Sequence, residues 1–337
     1  MAKKIKTLLS WFIPLCLGIY LFWVFFDSMT EDVKAVFYSA LKQANYFWIF
    51  LSMGIGFLAL LSRAYRWKYM LEPLGFQTSF WHRYHALMIG YVMNLTIPRA
   101  GEAVRAMMLY RSDGIPFAKS FGTILAERVF DMLLLLVVFA YSVQVNSTDL
   151  WNMKQAIELR FHLNNAESSL FETIVKGVFV LGFLSVLLMM FFQRTRSKIV
   201  NFAKGMISGV LAVFKSKHPW SFLTHTIGIW IIYILCFWVC FFAFPETSKL
   251  ELNAVILVFL AGTLGIALTN GGIGVFPLLV GMVVDFYLQK QDPEMTNGIG
   301  NALGLIIWSS QTLMIICLGV ISLFLLPKNY KGNGETA

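Results

Sequence analysis

Apolar runs separated by short polar stretches fill most of the 337-residue sequence. They lie at roughly 8–26, 46–62, 120–145, 171–192, 222–244, 252–270 and 299–326, with a shorter run ending at Leu288. Most approach or exceed the ~20 residues that a helix needs to cross a bilayer. The pattern predicts an all-α, polytopic helical membrane protein of about eight spanning helices, forming a single domain over 1–337 with residues 8–326 embedded.

Three stretches break the pattern. Phe80 to Leu95 is too short for a convincing span and polar at its start (His82, Arg83, His85), and it stops at Pro98. A short hydrophobic piece broken by Pro and Gly reads as a re-entrant or discontinuous helix, whose freed backbone groups must line a cavity or be buried in protein. In 194–220, Ile199, Phe202, Met206, Val210 and Val213 recur at helical spacing opposite Lys198, Lys204 and Lys215. That predicts an amphipathic helix lying on an anionic leaflet. Thr269 to Pro277 interrupts the apolar sequence with Asn270, Gly271, Gly272 and Gly274. The turns at 94–102 and 269–277 form a weak internal echo, and paired interrupted segments point to an inverted repeat with its site between the halves. Coincidence is the other explanation, since Gly is common in membrane helices. Residues 146–170 read as a polar loop, and Asp113-Gly114 with Pro116 as a turn.

Composition strengthens the membrane reading. The chain is 58% hydrophobic with a mean hydropathy of +0.69, against about 45–50% apolar in soluble domains. A net charge of +9 would suggest nucleic acid in a soluble protein. Here Lys and Arg have a better use in setting orientation. With eight spans and both termini cytoplasmic, nineteen of the 27 fall in inner segments and six in outer ones, so no nucleic-acid partner is expected. Counting 80–98 as a full span would break this alternation. Lys3, Lys4 and Lys6 before the first run resemble a signal peptide, but the bulky Phe25-Phe26-Asp27 offers no cleavage site. Cys16, Cys236, Cys240 and Cys317 all lie in apolar runs with no His or carboxylate beside them. They read as packing residues; no metal and no cofactor is expected.

Only 13% of residues are charged, yet Arg99, Glu102, Arg105, Glu127, Arg128 and Asp131 crowd into two short clusters flanked by apolar sequence. Charge against hydrocarbon is costly unless it is paired or faces a water-filled cavity. If Pro98 ends one half-helix and Gly101 turns the chain, Glu102 opens the next, where an acid complements the exposed N–H groups. Arg105 then pairs with Glu102 one turn on. Arg99 and Arg105 could bracket a phosphate, which suits the planar guanidinium; an ion pair pinning the re-entrant turn is the plainer alternative. Glu127 and Asp131 share a helix face, with Arg128 in reach of Asp131, a self-neutralising network able to bind a proton or a cationic headgroup. Paired carboxylates also suggest acid–base catalysis, but no nucleophile with a base accompanies them, so enzyme activity is not expected. Arg66, followed by Trp67 and Lys68, reads either as a membrane-edge anchor or as a headgroup contact. The turn at Asn270, Gly271, Gly272 and Gly274 could offer backbone N–H groups to an anion. It lacks nucleotide-loop spacing, and a helix break with close packing explains it equally well.

With these residues in view, the chain resembles the flippase-like membrane family that includes the transmembrane region of lysylphosphatidylglycerol synthases. The pattern is Arg66-Trp67, then Asn94…Pro98-Arg99-x-Gly101-Glu102-x-x-Arg105, then Glu127-Arg128-x-x-Asp131, then Gly271-Gly272-Ile273-Gly274-Val275-Phe276, over roughly 8–326. The resemblance implies a bacterial or archaeal plasma (inner) membrane protein that translocates lipids or lipid-linked sugars between leaflets, with the interrupted segments lining the path. Two departures matter. The family's Pro before the paired glycines and Glu after Val-Phe are here Asn270 and Pro277, which removes an acidic partner for the arginines from the second turn. The synthases also carry a soluble aminoacyl-transferase domain with no counterpart here, so this chain alone is not expected to make an aminoacylated lipid. The resulting expectation is a lipid translocase for an anionic phospholipid or lipid-linked sugar. Arg66, Arg99, Arg105 and Arg128 would contact phosphate, and Glu102, Glu127 and Asp131 would orient them or exchange a proton. Asn94, Pro98 and the second turn would shape the path. The alternative is a non-transporting scaffold for a separate glycosyltransferase or lipid-modifying enzyme.

Overall fold

The computed structural model describes residues 29–97, 100–160, 217–295 and 297–327, with isolated positions at 20, 23, 26, 27, 213 and 214. Every element among them is helical. The ten longer helices are α1 (Glu31–Gln43), α2 (Tyr46–Arg66), α3 (Phe80–Thr96), α4 (Gly101–Asp113), α5 (Phe117–Val145), α6 (Ser147–Arg160), α7 (Pro219–Cys240), α8 (Leu252–Leu268), α9 (Val275–Gln291) and α10 (Ile299–Leu325). The expected spans 8–26 and 171–192 and the amphipathic helix 194–220 lie almost wholly outside the described residues, as do Pro98 and Arg99. The other apolar runs form helices within a few residues of the expected bounds. The stretch after Val145 opens as α6 rather than as a loop. Asn146 breaks the helix there, turning its carboxamide back onto the Ser142 carbonyl (3.1 Å).

Among the described residues, Tyr46–Leu74, Pro219–Ala243 and α10 are long and apolar enough to cross a membrane. α5 equals the longest of these at 29 residues, about 43 Å, but it carries Glu127, Arg128 and Asp131 part-way along. α2 and α7 pack antiparallel. Ser52 donates to the Cys236 carbonyl (2.8 Å), and ten residues further along α2 Ser62 meets His225 Nδ1 (2.8 Å). Cys236 and Cys240 pack against the Ser52 hydroxyl.

α3 and α4 form a hairpin that returns to the end it left. His82 at the start of α3 bonds Asp113 at the finish of α4 (2.8 Å). With 17 residues, α3 is about 25 Å long, short of the ~30 Å hydrocarbon core, so the chain turns back inside. The arms close on two small residues, the usual way membrane helices approach. A Cβ added to Gly101 would sit 2.1 Å from the Gly90 carbonyl oxygen. The Asn94 carboxamide accepts the Gly101 N–H (2.7 Å), satisfying one of the donors that a helix N-terminus leaves open.

α8 and α9, read from sequence as two successive runs, form a second hairpin based at the opposite end of α5. Asn146, just past Val145, donates to the Asn253 carbonyl at the start of α8 (3.2 Å) and accepts from the Tyr287 hydroxyl near the end of α9 (3.2 Å). Both arms have 17 residues. Their turn needs Gly271, Gly272 and Gly274 at φ of 62°, 83° and 73°, values that glycine adopts at no steric cost. Pro277 falls in the first turn of α9, where its missing N–H goes unneeded. α10 runs past both hairpins. Gly300 takes the Asp285 carboxylate (2.8 Å), Trp308 Nε1 donates to the Gly271 carbonyl (2.8 Å), and Ser322 meets His85 (2.9 Å). The two tips therefore lie beside the middle of α10, and they touch: a Cβ on Gly271 would meet Leu95 at 2.5 Å. The echo between 94–102 and 269–277 corresponds to two oppositely directed hairpins meeting tip to tip.

The close approach at Gly101 is directly testable. Gly101→Ala should lower stability in detergent by about 3 kcal/mol through overpacking against backbone. Gly122→Ala, with nothing within 4 Å of the added carbon, should be neutral or slightly stabilising. Equal thermal unfolding of the two variants would refute the hairpin contact.

Candidate functional site

The charged residues converge where α2, α4 and α5 meet beside α7. Arg63 and Arg66 lie three apart near the end of α2, spacing that puts both on one face. Both reach Asp131 on α5, Arg66 Nη1 at 3.0 Å and Arg63 through Nη2. Arg66 also approaches Glu127 (3.7 Å), donates to Thr226 Oγ1 (3.0 Å) and lies over the Phe222 ring (5.2 Å). Arg63 donates to the Tyr233 hydroxyl (2.9 Å). From α4, Arg105 grips Glu127 with both terminal nitrogens (2.9 and 3.3 Å). Its guanidinium stacks 3.6 Å from the centre of the Trp67 ring, and Trp67 is itself held by Thr123 (2.9 Å). Arg128 completes the set, 3.0 Å from Glu102 and 3.7 Å from Asp131.

This network is buried. Arg66 is fully enclosed and Arg105 and Glu127 nearly so, while the Arg128 and Glu102 side chains keep 36% and 20% exposure and form its open corner. Buried ions recover their lost hydration only through close, well-directed pairing, which the two-nitrogen grip of Arg105 on Glu127 supplies. The balance is incomplete: four guanidinium groups face three carboxylates. In addition, Nε of Arg63, Arg66 and Arg105 and the Tyr91 hydroxyl, against one acceptor, Glu102 Oε2, are buried with no hydrogen-bond partner among the described residues. Leaving such a group unmatched costs ~1–3 kcal/mol. Surplus positive charge and surplus donors both suit an anion, and phosphate oxygens match guanidinium N–H geometry.

Of the residues singled out from sequence, the structure brings together Arg66, Glu102, Arg105, Glu127, Arg128 and Asp131. Their pairing differs from the expected one. Arg105 does not bond Glu102 along its own helix but crosses to Glu127, and Glu102 crosses to Arg128. The neighbouring helix offers Arg105 two oxygens at once, which an exposed i,i+3 pair cannot match. Arg66 is not a membrane-edge anchor, because its whole side chain is enclosed. Asn94 is spent on the α4 N-terminus. Asn270, Gly271, Gly272 and Gly274 form the second tip, which meets the first through Leu95 and joins no ion pair of the network among the described residues. Arg63, Trp67, Tyr91, Thr226 and Tyr233 join the site without being among the residues expected there from sequence. Arg63 was legible in principle, since two arginines three apart at the end of an apolar run share a helix face. The aromatic and hydroxyl partners carried no such signal.

Parts of the sequence that builds this site resemble known proteins. The lysylphosphatidylglycerol synthase transmembrane region matches residues 11–287 as a family. A 99-residue segment is 28% identical to the UPF0104 membrane protein MJ1595 of Methanocaldococcus jannaschii, covering 28% of this chain and 30% of that protein. A 72-residue segment is 36% identical to the glycosyltransferase AglD of Haloferax volcanii, covering 21% of this chain and 12% of that protein. The matched parts thus span less than a third of either relative. No solved structure matches. The family match takes in the whole ionic network and both hairpins almost to the end of α9, and the chain belongs to the family of the lysylphosphatidylglycerol synthase transmembrane region.

Proposed function

We propose that this membrane protein binds an anionic, phosphate-bearing lipid at the ionic network and moves it between leaflets. The observation that carries the reading is the uncompensated guanidinium charge, together with the buried arginine and tyrosine donors that lack partners. A lipid phosphate at the Arg128–Glu102 corner would supply the missing negative charge. Anionic phospholipids and lipid-linked sugars both carry that group and both fall within the proposed class. Glu102, Glu127 and Asp131 orient the arginines and keep the site near neutrality when no lipid is bound. The hairpin tips lie between the two ends of the path, with the Leu95–Gly271 contact as the constriction to be opened. In this reading the end bearing Lys68, Arg83, Arg111 and Lys217 faces the cytoplasm of a plasma membrane, in keeping with the preference of Lys and Arg for that side. A second reading, a scaffold for a separate lipid-modifying enzyme or glycosyltransferase, draws support from the segment shared with a protein named as a glycosyltransferase.

Two outcomes test the network, and the second separates these readings. Glu127→Gln leaves Arg105 and Arg66 facing an amide and should cost about 3–5 kcal/mol of stability, most of it recovered in Arg105→Gln/Glu127→Gln, where the pair is removed together. Thermal unfolding in detergent reads this. In proteoliposomes, the double variant should lose transfer of headgroup-labelled fluorescent phosphatidylglycerol. Lys290→Gln, which alters an ion pair with Asp149 at the opposite end, should keep it. Wild-type transfer by the double variant at equal reconstitution would sink the translocase reading.

A further inference from the structure

A cavity of about 340 Å³ opens at the basic end of the molecule, lined by Tyr69, Glu72, Gln77, Lys217 and His218 among others. A neighbour of about 270 Å³ shares Glu72 and Gln77 and adds Lys68 and Arg83. Glu72 is already matched by Lys68 (3.3 Å). Arg83 is held by the Ala64 carbonyl and by Thr78 rather than by a carboxylate. Lys217 has no ion pair among the described residues, so the two adjoining linings together carry more positive than negative charge. Small-molecule sites run from about 300 to 1,000 Å³, and a space at the low end of that range suits a headgroup rather than a whole lipid. Trp220, two residues beyond His218, is 78% exposed, as a residue at the membrane–water interface would be. With α7 crossing the membrane from Pro219, we infer a cavity at headgroup level.

A run of rings leads from this cavity to the ionic network. Tyr69 lies against His218 (6.0 Å between ring centres) and against His225 (5.9 Å). His225 packs on Tyr65 (5.2 Å) and its Nδ1 shares a hydrogen bond with Ser62 (2.8 Å). The next residue, Thr226, holds Arg66 (3.0 Å). The helices that carry the network therefore also carry a line of hydrogen-bonding side chains outward to a basic, lipid-level cavity.

We propose that this cavity is the loading site for the headgroup phosphate, and that Tyr69, His225 and Ser62 line its way to Arg66. The proposal rests on the translocase reading for its second half; the loading site stands on the cavity alone. The test is calorimetric titration of the full chain, purified in a maltoside detergent, with short-chain dihexanoylphosphatidylglycerol and separately with inorganic phosphate. Lys217→Gln/His218→Gln changes two exposed residues and should bind the short-chain lipid at least about tenfold more weakly at unchanged thermal stability. Wild-type binding by that variant would overturn the loading site. Inorganic phosphate binding as tightly as the lipid would also overturn it, in favour of a site for the free ion. His225→Phe keeps a ring but loses the Ser62 bond. It should bind normally and transfer labelled lipid about tenfold more slowly; an unchanged rate would overturn the route. Lipid binding that depends on Lys217 and His218, with no transfer by any protein, would uphold the loading site and reject the translocase reading.

Discussion

A guanidinium or carboxylate removed from water costs several kcal/mol even after its surroundings relax. This fold removes Arg66, Arg105 and Glu127 almost completely, with Arg63 close behind. None of these groups can be buried alone. Arg63 and Arg66 need Asp131, Arg105 needs Glu127, and each pair joins two different helices. The network therefore acts as a condition on the packing of α2, α4 and α5: the apolar surfaces are free to slide, whereas the ion pairs accept few registers. Trp67 extends the constraint by covering the face of the Arg105 guanidinium.

The hairpins follow from the same demand. α4 can bring Arg105 to Glu127 because α3 and α4 close on Gly90 and Gly101 and because Asn94 satisfies the exposed start of α4. The second hairpin is built with comparable parts. Gly281 and Gly300 form its close approach to α10, and Asp285 accepts the N–H groups of Gly298 and Gly300 at the start of that helix. In each case a glycine, a polar side chain four residues later and a glycine opening the next helix make one clasp. Two hairpins based at opposite ends, with tips in contact, give a structure in which separation of the tips and retention of the bases are mechanically distinct. Such an arrangement suits alternating exposure of a central site.

Much of this was legible in the sequence because length and hydropathy are local properties. α2, α5, α7 and α10 follow from apolar runs, and the first hairpin from Pro98, Gly101 and the polar start at His82. The second hairpin was harder, since α8 and α9 are apolar enough to read as two further spans; Asn146, which ties both of their outer ends together, reveals the hairpin base. The clusters at Glu102–Arg105 and Glu127–Asp131 announced themselves by charge, but spacing along one helix suggested intrahelical pairs. The choice of Glu127 for Arg105 and of Arg128 for Glu102 depends on which faces meet after folding. Arg63 and Arg66 were obscured for a related reason: an arginine at the end of an apolar run looks the same whether it anchors at the interface or turns inward.

A lipid phosphate held at the network, as proposed, would be seen by mass spectrometry of the lipids that stay with the purified protein. Wild type should be compared with Arg105→Gln/Glu127→Gln after identical detergent washing. The account predicts that wild type is enriched in one class of phosphate-bearing anionic lipid relative to the membrane it came from, and that the variant loses this enrichment. The same bulk lipid composition in both samples would contradict it.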